Sequence, residues 1–281
     1  MSSSPVNPEG EVLPPASAQQ YAPAQPRARR PEYSVWDPRY APGTYALLAI
    51  NIAVYLWMVA HRVDPMNPSQ RALIHYGANV PYLVLNKEWY RLLTATFVHV
   101  GLWHIASNMW CLWNLGILGE PLIGPWGIAA IYMLTGIAGN LLSMGWNIAE
   151  ALHTRNPEYL VQVGAGASGA VFGIAGILIV LLSNRKLPFP WRELQRLRSS
   201  VVKFSGINLL IGLATISGRF GIRIDNSAHI GGFLCGLALG VPLVPRMTAG
   251  RERYFARQRA TFAAACLVLA LVGYYISRFA P

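Results

Sequence analysis

From residue 43 onward, long apolar stretches alternate with short polar breaks. The stretches are too long for strands and carry no two-residue alternation, so they predict helices. Seven are expected, at 43–60, 92–118, 122–146, 166–183, 201–217, 228–244 and 261–279, with Pro121 breaking the second from the third. Each is about as long as the ~20 apolar residues needed to cross a bilayer. A connection over 61–90 contains Pro65, Pro68 and Pro81 as breakers. A second polar loop, 147–163, holds His153, Arg155 and Glu158. The seven stretches share no sequence period, which excludes a repeat array. Residues 1–40 are rich in Ser, Pro, Ala and Gln and lack apolar periodicity, so they predict a disordered tail. No apolar run follows the start as a secretory signal requires, and Glu9 and Glu11 argue against a mitochondrial presequence.

Composition supports a bilayer as solvent. Hydrophobic residues make up 53% of the 281 and charged residues 12%, against about 25% charged in soluble proteins. The net charge of +11 fits either nucleic-acid binding or the basic bias of cytoplasmic loops, and its distribution decides. Fifteen of the 23 Lys and Arg residues fall in the N-terminal tail and the 4–5 and 6–7 loops with their flanks; eight fall on the opposite side. That asymmetry predicts a cytoplasmic N-terminus, an outside C-terminus and no nucleic-acid partner. Cys111, Cys235 and Cys266 are odd in number and lie in apolar stretches, so no disulfide framework is expected.

Polar residues inside spans are costly and mark functional positions. His104 and Asn108 are four apart and share a helical face, in the outer half of the second stretch, which also contains His99. Ser168 opens the fourth stretch within Gly-Ala-Gly-Ala-Ser-Gly-Ala, and His229 opens the sixth. The second, fourth and sixth stretches run from outside to inside, so all four residues sit at one shallow depth. A serine in the first turn of a helix is surrounded by free N–H groups and the positive dipole end, which favours an oxyanion beside it. A neutral imidazole can take a proton from a serine hydroxyl. Gly232, Gly236 and Gly240 form a smooth stripe, and Gly169 and Gly173 offer a matching one. Alone, Ser168 is also readable as a helix cap among small neighbours, His229 as an interfacial cap, and His104 with Asn108 as an interhelical hydrogen-bonding pair. A metal site from His99, His104 and His229 lacks a carboxylate or cysteine partner.

Together these residues resemble the rhomboid family of intramembrane serine proteases. The matching motifs are Glu88-Trp89-Tyr90-Arg91, then His99…His104…Asn108, Gly166-Ala167-Ser168-Gly169, and Ala228-His229 with its glycine stripe. Their order, spacing and span placement agree over about residues 43–245. The resemblance implies an all-α membrane protein: a rhomboid-like six-helix transmembrane core over 43–245, then a basic loop and a seventh C-terminal transmembrane helix over 246–281. It implies Ser168 as nucleophile, His229 as general base, an oxyanion hole of His104, Asn108 and the Ser168 N–H, and Phe172 packed on His229. Asp225, four residues before His229, is expected to be a loop or cap residue. No cofactor is implied. The expected substrates are single-span membrane proteins cleaved near the outer leaflet, and the expected location is a bacterial inner membrane. The competing functions are a catalytically inactive rhomboid-like protein that binds membrane clients, and a transporter, for which no inverted repeat is seen.

Overall fold

A computed structural model describes residues 34–187, 189–215, 224–244 and 250–278. Seven helices of 14 residues or more are present among them: α1 (Pro42–Ala60), α5 (Leu102–Ile123), α6 (Pro125–Thr154), α7 (Ser168–Leu181), α8 (Trp191–Thr215), α9 (Asn226–Leu243) and α10 (Arg251–Ser277). Three short helices, α2 (Gln70–His75), α3 (Pro81–Leu85) and α4 (Arg91–Thr94), lie in the connection after α1. Four segments are long and apolar enough to cross a membrane: Pro42–Ala60, Pro125–Thr154, Asn226–Leu243 and Glu252–Ser277. Residues 1–33 of the expected tail lie outside the described residues. Its last residues are ordered, with Trp36 stacked on Trp113 at 4.7 Å and the Tyr45 hydroxyl donating to the Val35 carbonyl.

Pro121 does not break a helix. It lies inside α5, two residues before its end, and the chain turns instead at Gly124. A proline removes only its own N–H bond and restricts the residue before it. Gly124 at φ +80° takes the left-handed step that side chains resist, and Pro125 starts α6 at a position where no N–H is needed. The apolar run beginning at residue 92 is likewise not one helix. It divides into α4 and a turn, so His99 precedes α5 rather than lying within it. The turn is held by the Leu102 N–H donating to the Pro65 carbonyl, which also accepts from the Tyr55 hydroxyl.

α7 is the centre of the bundle, packed by α6 and α9 and more lightly by α5 and α8. From Gly169 to Leu178 every residue of it is buried. At 1.5 Å per residue it is about 21 Å long, shorter than a ~30 Å hydrocarbon core.

The buried Glu120, near the end of α5, accepts from the Gly43 N–H (2.8 Å) and from the Thr44 N–H and hydroxyl (2.7 Å each). A carboxylate on one helix thus caps the N-terminus of another, where orphan donors and the helix dipole favour negative charge. Glu120→Gln replaces one accepting oxygen with a donor, and should lower stability by about 1–3 kcal/mol in thermal unfolding of the detergent-solubilised protein. An unchanged melting temperature would show the cap to be dispensable. The connection after α1 is anchored by Arg91, which pairs with Glu88 and donates to the Ile74 and Ala78 carbonyls. Hydrogen bonds from Tyr90 and Arg91 hold the Glu88 carboxyl below its ordinary pKa.

Candidate active site

The segment 164–167 leading into α7 is fixed from three sides. Gly164 exchanges backbone hydrogen bonds with Asn79 (2.8 Å each way), and the Gly166 N–H donates to the Ala95 carbonyl (2.9 Å). The Ala167 N–H points at His99 Nε2 (3.4 Å), while His99 Nδ1 lies 3.1 Å from the Phe97 carbonyl. That pair assigns the ring: Nδ1–H donates to Phe97 and Nε2 accepts from Ala167. His99 is thus a fully buried brace. Gly166 sits at φ +130°, and a Cβ there would lie 2.5 Å from His104 Cε1. Only glycine both adopts this conformation and lets the imidazole edge approach the backbone.

Ser168 is the first residue of α7 and half-buried. The N–H groups of Ser168, Gly169 and Ala170 have no acceptor within the helix. They form a cluster of donors at its positive end. His104 sits against Gly166, two residues before the serine, with its Nδ1 3.4 Å from the Val100 N–H. Asn108 is buried one turn further along α5, and its Nδ2 donates to the His104 carbonyl (2.9 Å).

The backbones of α7 and α9 touch. A Cβ on Gly232 would overlap the Gly169 carbonyl, and one on Gly236 would overlap the Gly173 carbonyl. This contact brings the two N-terminal turns side by side, with a Cβ on Gly169 falling 3.3 Å from the Ala228 carbonyl. His229, the fourth residue of α9, is 6% exposed. Its ring stacks on Phe172 with centroids 4.3 Å apart and planes 12° from parallel. Nδ1 of His229 is sealed from solvent without a hydrogen-bond partner, leaving Nε2 as the open ring nitrogen. Among the described residues no hydrogen bond joins Ser168 to the His229 ring. Catalytic hydrogen bonds are often long in unliganded sites and close with substrate.

Asp225 caps α9, accepting from the Ala228 N–H (3.1 Å) and from the hydroxyls of Ser227 and Ser143. Its carboxylate therefore ties α9 to α6 and makes no hydrogen bond to the His229 ring. Sequence reasoning missed Ser143, and also Asn140, whose Nδ2 donates to the Leu92 carbonyl while its own carbonyl accepts from Asn79. Their signal was present, since both are polar positions inside a predicted span. No group of three or more His, Cys, Asp or Glu side chains suited to a metal occurs among the described residues.

The family model for the Rhomboid domain matches residues 86–246. The chain is 32% identical over 223 residues to Rhomboid protease GluP of Bacillus subtilis (strain 168), an alignment covering 78% of this chain and 39% of that protein. It is 32% identical over 208 residues to Rhomboid protease AarA of Providencia stuartii, covering 72% of each. Identity to Rhomboid-like protease 2 of Toxoplasma gondii is 29% over 195 residues, covering 68% and 62%. The chain therefore spans well under half of GluP and nearly three quarters of AarA. The matched region runs from the Glu88 loop to just past the end of α9 and includes both helices of the glycine-packed pair. From this match, and from its long apolar helices, we conclude that the chain is an integral membrane protein belonging to the rhomboid family.

Proposed function

We propose that this protein is an intramembrane serine endopeptidase in which Ser168 is the nucleophile and His229 the general base. The observation that carries the reading is the backbone contact of Gly169 and Gly173 with Gly232 and Gly236. It supports the reading because the first turns of the two helices, which carry Ser168 and His229, lie side by side, with the imidazole stacked flat on Phe172. The names of GluP and AarA as proteases point the same way.

In the proposed reaction Ser168 Oγ attacks the scissile carbonyl carbon as its proton passes to His229 Nε2. The oxyanion is held by the Ser168 N–H, His104 and Asn108. His229 then gives the proton to the leaving amine, and an acyl-enzyme forms. Water, deprotonated by His229, attacks the ester carbonyl, and the proton returns to Ser168 as the acid product leaves. No acidic third member takes part; Phe172 and the surrounding helix fix the imidazole instead.

Substrates are single-span membrane proteins, unwound near the outer leaflet, where the short α7 would leave its N-terminal end below the membrane surface. The N-terminus is cytoplasmic, the C-terminus is outside, and the membrane is the inner membrane of a bacterium. The basic first turns of α10, with Arg253, Arg257 and Arg259, and its aromatic far end, with Tyr274 and Tyr275, fit that orientation.

The test is labelling of the purified, detergent-solubilised protein with a fluorescent fluorophosphonate, which needs an activated serine but no known substrate. Wild type is expected to label, and Ser168→Ala and His229→Ala to lose the label. A folded wild type that fails to label would favour an inactive, client-binding protein. Label surviving in Ser168→Ala would place the nucleophile elsewhere. Removing one oxyanion donor, by His104→Ala or Asn108→Ala, is expected to slow cleavage about 10²–10³-fold. Wild-type rates in both variants would remove these residues from the oxyanion hole.

A further inference from the structure

α10 does not lie flush against α6. Between them, closed on a third side by the start of the α4 segment, is an apolar groove of about 490 Å³. Leu134, Leu141, Cys266 and Leu269 line it, and Trp89 and Tyr274 stand at one end. At that end a Cβ on Gly273 would lie 3.4 Å from Leu141 and 3.5 Å from Trp89, and beyond the other end Gln258 of α10 reaches the Gly127 position of α6. The Tyr274 hydroxyl accepts from Arg278 Nη1 (3.0 Å), which brings the guanidinium to the rim. Neither of the two ion pairs among the described residues includes Arg278.

We propose that this groove is a binding site for one glycerophospholipid, with an acyl chain between α10 and α6 and the phosphate on Arg278. Three features of the groove select this occupant. Its depth, from Tyr274 to Cys266, is eight helical residues or about 12 Å. That is close to the ~15 Å half-thickness of a hydrocarbon core. Its ends differ in chemistry: an apolar floor around Cys266 and Leu269, then Trp89 and Tyr274, aromatic side chains of the kind that sit at headgroup level. A cation carrying several N–H donors completes the rim, in the geometry that matches phosphate oxygens. A neutral apolar ligand would use the floor and leave Arg278 without an anion.

Native mass spectrometry of the full-length protein tests the site, using added dioleoyl phosphatidylglycerol and dioleoylglycerol, which share acyl chains and differ in the phosphate. Wild type is expected to retain one phosphatidylglycerol and to bind dioleoylglycerol at least about tenfold more weakly, the ratio that 1.4 kcal/mol of phosphate contact gives. Ala270→Trp, which fills the groove, should lose the retained lipid. Arg278→Gln, on the exposed end of α10, should bring phosphatidylglycerol down to the level of dioleoylglycerol. Equal retention of the two lipids by wild type would overturn the phosphate contact. Retention undiminished in both variants, or none in wild type, would overturn the site. Should Ala270→Trp misfold, the Arg278→Gln comparison decides alone. Both variants keep Ser168 and His229, so fluorophosphonate labelling reports the proposed activity separately from lipid retention.

Discussion

Ser168→Ala is expected to lower peptide-bond cleavage by about 10⁴-fold or more, measured on a fluorescent transmembrane substrate in proteoliposomes. The size follows from how a nucleophile and its base act as a unit: removing either leaves only binding and the oxyanion donors, and losses of this order or larger are seen in serine proteases. His229→Ala should fall by a similar factor, and the double variant should be hardly worse than either single one, because the second substitution removes a partner already without function. Neither change should alter folding much. Ser168 Oγ makes no hydrogen bond that the fold depends on, and a His229→Ala cavity is bounded by Phe172 and the apolar side chains between α8 and α9. A Ser168→Ala variant retaining even a tenth of wild-type activity would exclude Ser168 as the nucleophile. Additive losses in the double variant would mean that the two residues work apart.

Gly236→Ala should destabilise the folded state by about 3 kcal/mol or more, although it adds a single carbon. Overpacking usually costs about 1–3 kcal/mol because side chains rotate out of the way. Here the added Cβ meets the Gly173 carbonyl, which is backbone of the most buried helix and has no rotamer to change. Relief requires α9 to move away from α7 along its whole length. The same displacement separates Ser168 from His229, so fluorophosphonate labelling should fall with thermal stability. Gly206→Ala on α8 is the control, since nothing lies within 4 Å of a Cβ there. Wild-type stability in Gly236→Ala would show that the helices have slack, and would remove the packing argument for the site.

Much of this was legible because a bilayer makes exceptions conspicuous. Against apolar background, His104, Asn108, Ser168 and His229 stood out by polarity, and the glycines of α7 and α9 by their four-residue spacing. The packing of α7 on α9 followed from two smooth faces needing each other. The errors have one cause, the use of a local rule without its tertiary setting. Proline was read as a break, but Pro121 falls near the end of α5, where only one internal hydrogen bond is lost. The apolar residues after 91 looked continuous with α5, but contacts from the preceding connection turn the chain at residues 97–101. The segment ahead of α1 looked featureless, yet Trp36 finds a ring to stack on in Trp113, a partner 77 positions away that no window along the chain can reveal.

That the chain is helical and membrane-embedded, and which residues are candidates for chemistry, could be read along the chain alone. These are properties of single helices, set by hydropathy, helical period and charge, and each is complete within about twenty residues. What braces the helices that carry them came from long-range packing: His99 on Ala167, Asp225 on Ser143, Glu120 on the start of α1, and the interlocked backbones of α7 and α9. Each of these contacts joins groups far apart in the chain, and its geometry is fixed by how whole helices pack rather than by the local pattern that forms them.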